Sequence, residues 1–119
     1  MPHSVLVVED DVELRAIYRR VFEKVGYDII EAANGAEALS ILDEFMPDAI
    51  VLDMLMPTMG GDTVLKRLRS MQRDATKVII ITAYSSYRHA AEAEHVDAFL
   101  VKPVPPEEIL HTVASLLNE

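Results

Sequence analysis

The chain contains no cysteine. That absence excludes disulfide frameworks, thiolate zinc sites, iron–sulfur clusters and cysteine nucleophiles, and it suits a reducing compartment. Long hydrophobic runs are missing as well: no unbroken apolar stretch exceeds four residues, far below the roughly 18–20 of a membrane span. Met1-Pro2-His3-Ser4 lacks the basic start and apolar stretch of a signal peptide. Cations are scarce. Against 20 Asp+Glu there are 11 Lys+Arg, a formal charge of −9, which disfavours a phosphate backbone as partner because that affinity comes from Lys and Arg. The expectation is a cytoplasmic protein with no membrane partner and no direct DNA binding. Its 119 residues make one domain, 1–119, large enough to bury a core without staples.

Apolar periodicity alternates along the chain. Short β-branched runs at 5–8, 28–31, 49–52, 78–82 and 98–101 read as five strands separated by helix-like segments. Leu14, Ile17, Tyr18, Val21, Phe22 and Val25 make a helical stripe that starts at a cap, Asp10 or Asp11, and stops at Gly26. Ala38, Leu39, Ile41, Leu42 and Phe45 make a second, ended by Met46-Pro47. Gly60-Gly61 opens a third, with Val64, Leu65, Leu68 and Met71 inward and Lys66, Arg67 and Arg69 outward. Segment 84–95 has little apolar stripe and reads as a weak helix. Pro105-Pro106 opens the last, with Glu107 and Glu108 in its positive first turn and Ile109, Val113, Leu116 and Leu117 inward. Five strand–helix units in sequence imply an α/β fold, a mostly parallel sheet covered by helices on both faces.

In such sheets ligands bind beyond the carboxyl ends of the strands. The residues there are Glu9, Asp10, Asp53, Thr82 and Lys102. Singly, each has an ordinary structural explanation: acidic residues cap helices, Asp forms turns, Thr suits strands, and Lys is usually solvated. Met54, Met56 and Met59 read as core filler. Together they read differently. Three carboxylates at neighbouring strand ends would repel by about 4 kcal/mol per close pair at an effective dielectric near 20, so a cation is needed. Oxygen ligands of this kind suit Mg²⁺, which also favours phosphate oxygens. Lys102 can contact a phosphoryl oxygen and the Thr82 hydroxyl can donate to another. Asp is an accepted phosphoryl acceptor, so the set outlines a phosphoryl-transfer site.

The segments Val7-Val8-Glu9-Asp10-Asp11, Val51-Leu52-Asp53-Met54-Leu55-Met56-Pro57, Gly61, Ile81-Thr82-Ala83 and Val101-Lys102-Pro103 occur in that order. From Val5 to about Leu117 the sequence closely resembles the receiver domain of two-component response regulators, including single-domain chemotaxis receivers. The resemblance implies a doubly wound five-stranded parallel sheet of order 2-1-3-4-5, a flavodoxin-like three-layer sandwich. It implies a phosphorylation-activated switch, not an enzyme acting on an external substrate. Asp53 would accept a phosphoryl group from a histidine kinase or phosphotransfer protein, and the switch would regulate a downstream effector protein. Mg²⁺, or Mn²⁺ in its place, would be held by Asp10, Asp53 and the backbone carbonyl of Leu55, with Glu9 acting through a metal-bound water. Lys102 would contact the phosphoryl group, Thr82 would swing toward it, and Phe99 would be the aromatic whose burial follows. Lys102-Pro103 would be cis. Asp11 is left as a helix cap.

The chain departs from that pattern in places. Thr82 and Lys102 are 20 positions apart, two fewer than expected in the family, and His95-Val96-Asp97 replaces the usual Gly-Ala, so the fourth helix should be shortened or irregular. Leu55 and Tyr84 sit where the family flanks the path of the hydrolytic water. Neither can position water as an amide or carboxylate could, which implies slow self-dephosphorylation. No output domain is expected in the chain, and His111 stands where receivers of winged-helix transcription factors tend to carry arginine for dimerisation. A monomer or a weak phosphorylation-dependent dimer is therefore expected. His3, His89, His95 and His111 have no metal-ligand spacing. Competing readings are a phosphatase of the haloacid dehalogenase type, which lacks its second Asp because Leu55 stands there, and a flavodoxin-like cofactor binder, whose anion Glu9-Asp10-Asp11 would repel. A degenerate receiver serving only as a docking module, or a domain of a longer hybrid kinase, is also compatible with the residues.

Overall fold

Strands β1 (Ser4–Val8), β2 (Asp28–Ala32), β3 (Ala49–Asp53), β4 (Lys77–Thr82) and β5 (Ala98–Val101) form one parallel sheet in the order β2-β1-β3-β4-β5. The computed structural model describes residues 2–54, 59–71 and 75–117. Helices α1 (Val12–Lys24), α2 (Gly35–Glu44), α3 (Gly61–Ser70), α4 (Arg88–Ala93) and α5 (Pro106–Leu116) connect or follow the strands. The short strand runs are apolar throughout because both sheet faces are covered. Leu6, Val8, Ile50, Leu52, Val78 and Ile80 enter one core with Ala38, Leu42, Val64, Leu65 and Leu68 of α2 and α3. Their alternates Val5, Val7, Ala49, Val51, Ile79 and Ile81 enter the other with Tyr18 and Phe22 of α1 and Ile109 and Val113 of α5. Period-two side-chain alternation in buried parallel strands has this result.

Local chemistry sets most element ends. The Asp11 carboxylate accepts from the amides of Glu13 and Leu14 at 3.0 and 3.1 Å and caps α1, a contact of about 1 kcal/mol. Asn34 caps α2 through the Glu37 amide, and the Glu37 side chain accepts from the Ala33 amide. Gly26, at φ +94, turns the chain out of α1 in the left-handed region that glycine enters freely. Where the expected stripes fail, the cause is their position at a helix end: Val25 is 57% exposed and Phe45 is 40% exposed, because each follows the last turn facing the sheet. Leu116 and Leu117 are half-buried at the margin of the α1/α5 core. Met54 is buried and Met59 half-buried, while Met56 lies outside the described residues.

The weak helix expected over 84–95 is a 3-10 turn, Ser85–Tyr87, followed by the six residues of α4. Its end is held from another element. Arg69, expected on the wet face of α3, donates through Nε to the Glu94 carbonyl at 2.9 Å and through a terminal nitrogen to the His95 carbonyl at 3.1 Å. His95 itself adopts φ +58. Ala91 enters the core, with Tyr87 and Val96 only partly buried against it, so few contacts oppose local opening. Amides across 84–96 are therefore expected to exchange with solvent well before those of α3 in a hydrogen-exchange experiment. Uniformly strong protection there would contradict this.

The sheet turns its order around at β1, which pairs with β2 on one side and β3 on the other. The crevice at such a reversal opens beyond the carboxyl ends of the strands. Val8 lies level with Leu52, so the residues that follow, Glu9 and Asp53, leave β1 and β3 side by side.

Candidate functional site

At that edge, carboxylate oxygens of Glu9, Asp10 and Asp53 all lie within 4.8 Å of one another. Their settings differ. Glu9 and Asp53 are 2% and 6% exposed, whereas Asp10 faces solvent. Glu9 is pinned by its backbone: its amide donates to the Ala32 carbonyl at 3.1 Å, and its carbonyl accepts from the Arg15 guanidinium at 2.8 Å. One carboxylate oxygen of Glu9 also accepts from the Asp11 amide at 3.2 Å.

The cation demanded by this crowding is supplied in part by the chain itself. Lys102 Nζ lies 2.9 Å from Glu9 Oε1 and 3.3 Å from Asp53 Oδ2, bridging the two buried carboxylates. Burial pushes the Glu9 carboxyl up to about 7, and the nearby Asp53 charge adds to the rise, while the Lys102 hydrogen bond opposes it. Burial works against the Lys102 charge, but the Glu9 hydrogen bond and the Asp53 and Glu9 charges outweigh it and raise its pKa. One ammonium against three carboxylates leaves the cluster negative. A hard divalent cation with oxygen ligands fits that donor set.

Thr82, the last residue of β4, is fully buried, and its backbone carbonyl accepts from the Lys102 amide at 2.7 Å. Its hydroxyl accepts from the Tyr84 amide at 3.3 Å. Lys102-Pro103 is cis, as expected. Phe99 is not in the carboxylate cluster: it is half-buried on β5, packed against the core beneath α3 and α4. Leu55, expected to offer its carbonyl to a metal, lies outside the described residues.

Arg15, Arg19 and Tyr18 make contacts near the site that no sequence pattern signals. Arg15 couples the Glu9 backbone to Glu31 of β2, with its Nε 2.9 Å from Glu31 Oε1, and Arg19 also pairs with Glu31. Only the β1–β2 pairing brings these residues together. Tyr18, on the apolar stripe of α1, is core, and it also walls a cavity of about 400 Å³ with Leu14, Ala83, Lys102, Pro103 and Val104. Burial, with the field of Glu9, pushes its phenol up to about 12, so it stays neutral.

Comparison with known proteins gives a consistent result. The family pattern of the response regulator receiver domain matches residues 5–114. The chain is 35% identical over 119 residues to sporulation initiation phosphotransferase F of Bacillus subtilis, covering 98% of this chain and 95% of that protein. It is 40% identical over 116 residues to the transcriptional regulatory protein PrrA of Mycobacterium tuberculosis, covering 96% of this chain but 49% of the regulator. It thus spans nearly all of the first relative and about half of the second. Among solved structures, a CheY-like receiver domain protein of Methanospirillum hungatei superposes with a TM-score of 0.92 at 25% identity, covering 99% of this chain and 95% of that one. The response regulator TrrA of Thermotoga maritima, solved in complex with Mg²⁺–BeF, has a TM-score of 0.86 at 33% identity, covering 98% and 99%.

Proposed function

The chain belongs to the response regulator receiver domains of two-component signalling, and from that premise we propose that Asp53 is its phosphoryl acceptor. Receiver domains accept phosphoryl groups and bind Mg²⁺ at an acidic pocket. One observation carries the assignment to Asp53: its buried carboxylate, at the end of the central strand β3, lies within 4.8 Å of the Glu9 and Asp10 oxygens and 3.3 Å from Lys102 Nζ.

Asp10 and Asp53, with the Leu55 carbonyl, would hold Mg²⁺ directly, and Glu9 would act through a metal-bound water. When bound, the ion would offset the carboxylate charges and the charge spread over the transferring phosphoryl oxygens. An Asp53 carboxylate oxygen forms the new O–P bond as the donor's P–N or P–O bond breaks. The leaving group departs as a neutral imidazole, after taking up a proton, or as acetate when acetyl phosphate is the donor. Lys102 is placed to exchange part of its contact with Asp53 for a phosphoryl oxygen. The Thr82 hydroxyl, which already accepts from Tyr84, keeps its own proton to donate to another. Movement of Thr82 toward that oxygen, with Phe99 following, is the proposed switch. The donor would be a histidine kinase or phosphotransfer protein, and the recipient of the change a separate effector.

Incubation with Mg²⁺ and acetyl phosphate should add one phosphoryl group by intact mass, and Asp53→Asn should abolish it. Addition to Asp53→Asn, or none to the wild type, would reject the assignment. We further propose that the phosphoprotein is long-lived, because neither the Leu55 side chain nor that of the exposed Tyr84 can orient water on Asp53 as an amide or carboxylate could. Combining Leu55→Asn with Tyr84→Glu is expected to shorten its half-life by about 10-fold or more. An unchanged half-life would count against that role.

A further inference from the structure

Arg88, the first residue of α4, is exposed, and its guanidinium carbon sits 4.7 Å from the centroid of the Phe99 ring. No ion pair of Arg88 occurs among the described residues, and its guanidinium rests on the ring. Four residues upstream, the Tyr84 amide donates to the Thr82 hydroxyl. Between these two points the chain is a tight unit. The Tyr87 amide donates to the Tyr84 carbonyl at 3.2 Å, the Tyr84 and Tyr87 rings meet edge to face at 6.4 Å, and the Arg88 amide donates to the Ser85 carbonyl. At its far end α4 is held by Arg69 on the Glu94 and His95 carbonyls.

We propose that Arg88 is a positioning residue for Phe99, latching the unphosphorylated conformation and coupling it to the Thr82 hydroxyl through the 84–88 turn. The turn is short and internally bonded, so its two attachments respond together. Drawing Thr82 off the Tyr84 amide loosens the entry to α4, and loosening it lifts Arg88 from the ring. Arg69 keeps the other end in place, so α4 pivots about its carboxyl terminus. A guanidinium over an aromatic face at an exposed site is weak enough to release, and its loss corresponds to about a two- to fivefold change in an equilibrium. A latch that stabilises only the unphosphorylated form must weaken every ligand that favours the other form, by the same factor.

This inference rests on the reading of Asp53 as phosphoryl acceptor. Mg²⁺ with beryllium fluoride, a tetrahedral stand-in for the phosphoryl group, serves as the titrant. The readout is the ring resonances of the three phenylalanines, Phe22, Phe45 and Phe99, in ¹³C-phenylalanine-labelled protein. Arg88→Ala is expected to lower the half-saturating beryllium fluoride about two- to fivefold. It should also move the Phe99 resonance of the unliganded protein toward its liganded position, with Phe22 unmoved, and Arg88→Lys should fall between. In a Phe99→Leu background, with half-saturation followed by the rise in melting temperature with beryllium fluoride, Arg88→Ala should have no further effect, since the cycle isolates the pair. An unchanged half-saturation and Phe99 resonance in Arg88→Ala, with wild type still phosphorylated by acetyl phosphate, overturns the latch alone. An equal Arg88→Ala effect with and without the Phe99 ring also overturns it. A wild type that takes up no phosphoryl group overturns the acceptor reading instead.

Discussion

Replacing Lys102 with methionine is expected to slow phosphorylation of Asp53 by about 10²–10³-fold, the usual cost of removing one preorganised donor aimed at developing negative charge. The substitution keeps most of the stem that lines the cavity beside Tyr18 and deletes the ammonium, which lies 2.9 Å from Glu9 and 3.3 Å from Asp53. Two effects separate in one experiment. Without Lys102 the metal-free site keeps two buried carboxylates and loses the cation that bridges them. Breaking such a pair can cost about 3 kcal/mol, a cost Glu9 reduces by taking up a proton, because its pKa is already raised to about 7. Mg²⁺ should therefore raise the melting temperature of Lys102→Met by more than it raises that of the wild type. It should not restore the transfer rate, since a metal among the carboxylates does not replace a donor at the phosphoryl oxygen. A near-wild-type rate with acetyl phosphate would remove Lys102 from the proposed machinery.

Gly61→Ala is expected to be the most damaging of the four glycine-to-alanine substitutions, at about 3 kcal/mol, the upper range for forcing an extra carbon into a packed site. A Cβ on Gly61 would sit 2.4 Å from the Asp53 carbonyl oxygen and 2.9 Å from the Met54 Cα. Both are backbone, so no side chain can move aside. The Gly61 amide also donates to the Met54 carbonyl at 3.1 Å, which ties the start of α3 to the end of β3. The melting temperature should fall by roughly 10 °C, and phosphorylation should slow because the displaced segment carries Asp53. Gly26→Ala is the control. It meets nothing within 4 Å but must hold φ +94, so it should cost only about 1 kcal/mol and leave the phosphorylation rate unchanged. Equal stability losses in the two variants would show that the contact with β3 does not matter.

The five strands, the caps at Asp11 and Asn34, the stop at Gly26 and the weakness of the 84–95 segment could all be read from the sequence, because each depends on neighbours a few residues away. A four-residue apolar run between turn formers has one use in a sheet covered on both faces, and a side-chain oxygen two or three residues before free helix amides caps them wherever the helix lies. The same locality made Glu9, Asp10, Asp53, Thr82 and Lys102 candidates, as the polar residues that close apolar runs. Their convergence is a different matter. Glu9 and Lys102 are separated by 93 positions, and only the order β2-β1-β3-β4-β5 lays the ends of four strands along one edge. Arg15 on Glu31, Arg69 on the end of α4 and Arg88 over Phe99 were invisible for the same reason. A long cationic side chain reaches whatever the packing brings near, and neither its own neighbours nor its helical period says what that is. The burial that raises the Glu9 pKa belongs to this class too, since desolvation is set by the elements that close over a carboxylate and not by its place in the chain.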